Sequence, residues 1–386
     1  MASFRIALMS NIKNNYVVLT GDKNNSGDYL IKKAGLYLLN KYRPDRVLTP
    51  IPAWEPLNKE RLRLVNESCA LILLGGPALQ PQMYPCIYPL TRNLNDIKAP
   101  IITMGIGAKP KSTYPEAPHH YPLTDQTHEL LTRINRESYQ SSLRDYYSGL
   151  IMQAYGYNNF ITTGCPAFYL NEDQSQTENS SPNSIVFSVG VNFAKETDML
   201  HQTKDIIYQM ITELDQPVRV AFHHSTTPKF LNTHRPNVRL YDQQHKLIEW
   251  LKEHKIEYID ISGSAEQMLS LYSSCSLHIG YRVHAHILTS SLGKPSLLLA
   301  EDGRAINMKD VMGGMILNAY EEEGKGLIPK VLKASGLSHR AKPELWREIQ
   351  ANLAYEKKAK NQRTLQVANN LRMHFYFMKS FLDQLP

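Results

Sequence analysis

Short apolar runs alternate with one-sided helical patterns in two series, and a polar stretch separates the series. That arrangement restricts the chain to a two-part α/β architecture. In the first series, residues 4–9, 69–74, 100–104 and 139–143 read as strands, and 28–41 as a helix with Leu30, Ile31, Ala34, Leu38 and Leu39 on one face. Residues 171–184 (NEDQSQTENSSPNS) contain no apolar side chain and read as a linker. In the second series, strands are expected at 184–189, 218–222, 256–261, 277–280 and 296–300, with helices between them. Continuous apolar strands separated by helices belong to parallel sheets covered on both faces. The expected fold class is therefore α/β, with two Rossmann-like doubly wound domains at 1–170 and 185–330 facing a cleft. The linker 171–184 joins them, and a helical tail, 331–386, follows. A length of 386 residues suits two such domains.

Composition removes several classes of function. No apolar run approaches the ~20 residues needed to span a bilayer, and residues 1–10 lack the apolar core of a secretory signal. The four cysteines are scattered without a CxxC pair, which argues against a zinc site or redox pair and fits a reducing, cytoplasmic setting. Most of the +7 net charge sits in the tail, where 331–386 holds six Lys and four Arg against three Glu and one Asp. No zinc finger, RNP-like sequence or interleaved aromatic–basic platform accompanies it, so nucleic acid is not an expected partner. The segment 371–382 (LRMHFYFMKSFL) has two readings: a helix packed back across the first domain, or peripheral contact with the inner face of an anionic membrane.

In open α/β sheets, ligands bind beyond the carboxyl ends of strands, so chemistry is sought in the loops that follow them. Asn25-Ser26-Gly27-Asp28 precedes the first amphipathic helix; Gly27 permits close backbone approach, and Asp28 can cap the helix or orient an acceptor hydroxyl. Gly75-Gly76 and Gly105-Ile106-Gly107 end two strands, and neither forms a P-loop or GxGxxG pattern. Arg144, at a strand-to-helix junction beside Asp145, can pair with a carboxylate or phosphate.

The sharpest segment is Gly280-Tyr281-Arg282-Val283-His284-Ala285-His286. It places Arg282 and His284 at a helix N-terminus, where backbone amides and side-chain charge together favour an anion. His284 can also carry a proton near neutral pH. His278 and His286 are expected in the core. One of His223 and His224 is expected at the site, with His223 preferred, and Glu301 and Arg304 follow another strand. These residues have no metal-ligand spacing and no nucleophile motif, so neither a metal nor a covalent nucleophile is expected.

The ordered set NSGD, LLGGPAL, MGIGAKP, SLRDYYS, GCPAFYL and GYRVHAHILTSSLGKPSLLLAEDGR resembles the polysaccharide pyruvyl transferases, over about residues 20–310. The last segment is the most specific. This chain has Gly75-Gly76-Pro77 where the family often has three glycines. The resemblance implies a GT-B-like fold and transfer of a pyruvyl group from phosphoenolpyruvate to a sugar as a ketal, without a cofactor. It implies a donor site with Arg282, His284 and Arg144, which His223 and Arg304 extend. Asn25, Gly27, Asp28, Gly75, Gly76, Gly105, Gly107 and Glu301 would form the acceptor side or cleft. The saccharide acceptor can be free or lipid-linked. A GT-B glycosyltransferase with a nucleotide-sugar donor is the alternative, and a non-catalytic scaffold of the same fold is a third reading.

Overall fold

The computed structural model describes residues 14–23, 25–114, 116–170, 184–227, 238–321 and 340–386. The strand expected at 4–9 and the linker up to residue 183 lie outside the described residues. The first part comprises β1 (Asn15–Thr20), α1 (Ser26–Tyr42), β2 (Val47–Pro52), α2 (Lys59–Asn66), β3 (Ala70–Leu74), β4 (Ile101–Met104), α3 (Asp125–Asn135), β5 (Ser141–Leu143), α4 (Tyr146–Ala154) and β6 (Phe160–Thr162).

Three of these strands, β1, β2 and β6, had no counterpart in the sequence reading. β1 is a fully buried central strand, although Asn15 and Thr20 bracket its apolar run. β2 contains Pro50 and Pro52, which remove ladder donors and so argue against a strand. It lies at the sheet edge, where that loss is tolerated.

The first sheet runs β2-β1-β3-β4, all parallel. The short parallel pair β5–β6 continues it beside β4, where Gly105 N donates to Ser142 O at 3.0 Å and Arg144 N to Ile106 O at 2.7 Å. The second part comprises β7 (Ser184–Ser188), α5 (Thr197–Glu213), β8 (Val218–Phe222), α6 (Val238–Glu253), β9 (Glu257–Asp260), α7 (Ala265–Ser274), β10 (Cys275–Gly280), α8 (Val283–Ser291), β11 (Ser296–Ala300), α9 (Gly303–Met312) and β12 (Met315–Asn318). Its sheet runs β12-β11-β10-β7-β8-β9, again all parallel. Two doubly wound α/β sheets are thus present, and α10 (Leu345–Lys358) and α11 (Gln362–Asp383) form the helical tail.

Three apolar cores hold this arrangement. One lies on the outer face of the first sheet around Leu71, Leu73 and Ile101, and one on the outer face of the second around Phe187, Val220 and Leu297. The third is shared: Leu30, Leu38 and Ile72 from the first part meet Ile287, Leu288 and Met308 from the second. Each fully buried side chain of this kind contributes roughly 1.5–3 kcal/mol, so the shared core fixes the two sheets against each other. α11 adds Leu371, Met378, Phe381 and Leu382 to it. Beyond α11, the carbonyl oxygen of Pro386 accepts from Arg43 Nη2 at 3.0 Å and Arg46 Nε at 3.1 Å. The tail therefore crosses back onto the first sheet, as one of the two sequence readings expected.

Candidate functional site

Strand order places two crevices. In the first sheet the order reverses between β1 and β3, and in the second between β7 and β10. Loops leaving two such strands diverge to opposite faces and open a crevice at the carboxyl ends. In the first sheet a cleft of about 160 Å³ opens there, lined by Thr20, Gly21, Asp28, Gly75 and Gly76, with Ile31, Leu74 and Tyr88 as apolar walls. Gly75 and Gly76 have φ values of +59° and +76°, consecutive left-handed positions that favour glycine and bare the backbone to the cleft.

In the second sheet the corresponding loop after β10 carries Arg282. Its backbone N–H donates to Ser188 Oγ at 3.1 Å, its Nε to Val189 O at 2.9 Å and its Nη2 to His224 Nδ1 at 2.7 Å. The guanidinium is thereby fixed against the β7 exit. Burial lowers its pKa to about 10, so it stays charged at neutral pH. Arg282 is also the N-cap residue of α8 and makes no side-chain cap bond, whereas Asn25, Asp145 and Asp302 cap α1, α4 and α9. The amides at the start of α8 are left to an external acceptor.

His284 lies one residue into that helix. Its imidazole packs on Gly27, where an added Cβ would stand 2.3 Å from Nδ1, and its buried Nε2 has no hydrogen-bond partner. Burial first, then the charges of Arg144, Arg304 and Arg282, push its pKa down to about 3. At neutral pH His284 is a neutral imidazole beneath three arginines. Asp28 is shifted the other way. Burial raises its carboxyl to about 6, against the opposing effects of the Asn25 hydrogen bond at 3.0 Å and the charges of Arg304 and Arg282.

The two crevices adjoin. Asn25 and His224 form an antiparallel bridge, Ser26 N donates to His223 O at 3.3 Å, and Gly303 N donates to Pro110 O at 3.2 Å. Gly107 packs on the Arg144 guanidinium, with a hypothetical Cβ 2.6 Å from Nε.

Several predicted residues are positioned differently from the sequence expectation. His223 is buried with both ring nitrogens engaged, Nδ1 with Ser26 Oγ at 2.9 Å and Nε2 with Tyr272 Oη at 2.7 Å. The neighbouring His224 is the one that meets Arg282, so the preference for His223 is reversed. Arg144 is 1% exposed and bonded to Asp145 and to Ala108 O at 3.2 Å; it acts on the site as a fixed charge behind its wall. Glu301 is 4% exposed and accepts from the backbone of Val191 and Asn192, holding the β7 exit loop. Gly105 turns toward Pro166, away from the cleft. Arg304 is held by Asp302 through bonds of 2.6–3.0 Å, and its charge reaches His284 and Asp28. His278 and His286 are core residues joined through Ser296 Oγ, each at 2.7 Å, as expected.

The sequence reading did not single out Lys109, which stands two residues after Gly107, and it took Asp302 only as part of the segment Glu301-Asp302-Gly303-Arg304, without a role of its own.

Among solved structures, the UDP-GlcNAc 2-epimerase of Methanocaldococcus jannaschii, in complex with UDP-GlcNAc and UDP, is 11% identical. The match covers 79% of this chain and 88% of that chain, with a TM-score of 0.48. The wall teichoic acid polymerase TagF is 12% identical, with coverage of 97% and 89% and a TM-score of 0.45. HepE of Anabaena, in complex with UDP, is 11% identical, with coverage of 96% and 97% and a TM-score of 0.43. No curated protein matches the sequence. The sequence profile of the family described as polysaccharide pyruvyl transferase matches residues 25–303.

Proposed function

We propose that this chain, which belongs to the polysaccharide pyruvyl transferase family, moves the enolpyruvyl-derived group of phosphoenolpyruvate onto a saccharide as a ketal and releases inorganic phosphate. The observation that carries this reading is that the charges of Arg144, Arg282 and Arg304, each beside the start of a different helix, all act on the single imidazole of His284. Surplus positive charge at an uncapped helix N-terminus suits a compact polyanion. Phosphoenolpyruvate, with a carboxylate and a phosphate on the same carbon, is one.

The pKa directions of His284 and Asp28 support a division of the proton traffic. His284 is neutral in the unliganded site. The negative charge of the donor offsets the three arginines and raises the proton affinity of the imidazole. His284 then delivers a proton to the methylene carbon, and the adjacent carbon becomes oxocarbenium-like. A sugar hydroxyl held in the first-sheet cleft attacks that carbon and gives its proton to Asp28. Phosphate leaves, and the second hydroxyl closes the ketal. Two hydroxyl protons are released: the first passes from Asp28 to the departing phosphate, which restores the carboxylate, and the second restores His284. General acid–base catalysis of this kind contributes ~10²–10⁴-fold, and fixed charges stabilise the departing phosphate.

The tail fits work at an anionic membrane surface, where a lipid-linked acceptor would be held. Met373, Tyr376 and Phe377 on α11 are 63%, 70% and 46% exposed, beside exposed Arg372 and Lys379. No described helix is long and apolar enough to cross a membrane.

The test is mass spectrometry of galactoside and mannoside acceptors incubated with the protein and phosphoenolpyruvate. A pyruvyl ketal formed with equimolar phosphate is expected. Turnover of a nucleotide sugar without ketal formation would replace this reading with glycosyl transfer.

A further inference from the structure

The loop after β4 enters the site from the first sheet and is pinned at each of its residues. Ala108 N donates to Ser148 Oγ at 2.8 Å, and Ala108 O accepts from Arg144 Nη2 at 3.2 Å. Lys109 N donates to Tyr121 Oη at 3.2 Å. Pro110 O accepts from Gly303 N at 3.2 Å, and the Pro110 ring packs so closely on Gly303 that an added Cβ there would stand 2.6 Å away. Lys109 is thus fixed in the chain between a residue bonded to Arg144 and a residue docked on the Asp302–Arg304 turn.

Its side chain differs from those of the three arginines. Arg144, Arg282 and Arg304 are each committed to protein acceptors. Among the described residues the Lys109 ammonium has no hydrogen bond or ion pair. The residue is exposed, yet crowded enough that burial lowers its pKa, with Arg304 and Lys195 lowering it further against Asp302 and Asp28. An unpaired ammonium held beside like charges is an incomplete arrangement, and an anion arriving between them completes it.

We infer that Lys109 is the phosphate contact of the donor site, reaching the donor from the first sheet opposite Arg304. This rests on the phosphoenolpyruvate reading above and assigns its two anionic groups. A lysine is a compact point charge with rotatable donors and suits a phosphate whose charge grows as it leaves. The planar fork of Arg282 at the start of α8 suits the carboxylate. Lys109 therefore acts on departure of the leaving group as well as on binding, and links donor occupancy to the loop that docks the first sheet onto the second.

The experiment compares Lys109→Ala and Lys109→Arg with the wild-type chain, reading phosphoenolpyruvate binding by calorimetry and its displacement by inorganic phosphate and by pyruvate. Lys109→Ala is expected to weaken phosphoenolpyruvate and inorganic phosphate ~10- to 100-fold, the range for a lost charge-assisted bond. Pyruvate, which keeps only the carboxylate, should change less than ~2-fold, and Lys109→Arg should recover most of the loss. If Lys109→Ala binds phosphoenolpyruvate as the wild type does, or loses pyruvate as severely as phosphate, the assignment is wrong. A wild-type chain that fails to bind phosphoenolpyruvate at all would instead remove the donor reading, and this inference with it.

Discussion

The imidazole of His284 rests directly on the Cα of Gly27, with space for no further atom: a Cβ on Gly27 would fall 2.3 Å from Nδ1 and 2.9 Å from Cγ. These residues come from opposite sheets, so the proposed acid is positioned by a backbone that belongs to the acceptor side. Gly27→Ala should displace the ring and lower kcat by about 100-fold or more, in the range of lost acid–base catalysis. Phosphoenolpyruvate binding should fall far less, because Arg282 is held by its own sheet. Steady-state kinetics and calorimetry on the same preparation check this, and an active Gly27→Ala enzyme would sink it.

Arg282 is fixed by Val189 O and His224 and sits at an uncapped helix start. Arg282→Ala should weaken phosphoenolpyruvate by roughly 100-fold. Arg282→Lys should recover little, since lysine cannot keep both bonds and still present a fork. Calorimetric titration decides, and equal affinities for wild type and Arg282→Lys would contradict the fixed-fork geometry.

Asp28 titrates near about 6 in the free site. As the proposed base it must be ionised, so kcat/KM should fall as pH drops through that value, and Asp28→Asn should lower activity and abolish the limb. Stability should move in the opposite sense. A carboxyl whose folded pKa is raised destabilises the fold as pH rises through the folded pKa. Asp28→Asn should therefore raise Tm at pH 8 and change it little at pH 4.

Buried neutral histidines make the protein acid-sensitive. Burial lowers His284 and His286 to about 3 from the ordinary histidine value of 6.5, and drives His223 and His278 well down. A depressed folded pKa contributes stability that is complete above the unfolded pKa and is lost as pH falls toward the folded one. Between pH 6.5 and 5 a fully buried histidine accounts for roughly 2 kcal/mol. Urea melts at the two pH values should show this loss, and His286→Asn should reduce it.

The exposed face of α11 should bring the protein down with phosphatidylglycerol vesicles at low salt and release it at high salt. Met373→Ser combined with Phe377→Ser should abolish sedimentation while a water-soluble acceptor is still turned over. Absence of sedimentation at low salt ends the membrane role.

Much of the fold is legible in the sequence because parallel strands buried on both faces read as unbroken apolar runs. Ala70–Leu74 and Ser296–Ala300 are such runs. β2 escaped because its prolines are acceptable only at an edge, and edge position is a property of the sheet. At the site, Arg282 and His284 stood out because a glycine-ended strand and a helix start bracket them. The choice between His223 and His224 was not legible. It depends on which side chain the exit of β8 turns toward Tyr272 and which toward Arg282, and adjacent residues of one type carry no sign of that. Lys109 went unread for a related reason: a lysine in a loop is ordinary until the two sheets bring Arg304 and Lys195 beside it.

Each crevice lies at the reversal of its own strand order, and contacts such as Gly27 on His284, Asn25 on His224, Ser26 on His223 and Pro110 on Gly303 join them. With donor and acceptor divided as proposed, the two specificities are written in separate stretches of the chain. The loops after β1 and β3 can diverge to address a new glycan while the machinery after β10 is inherited unchanged. The seam residues and the core shared by the two sheets must be kept for such an exchange to work, which favours substitution within those loops over exchange of a whole half.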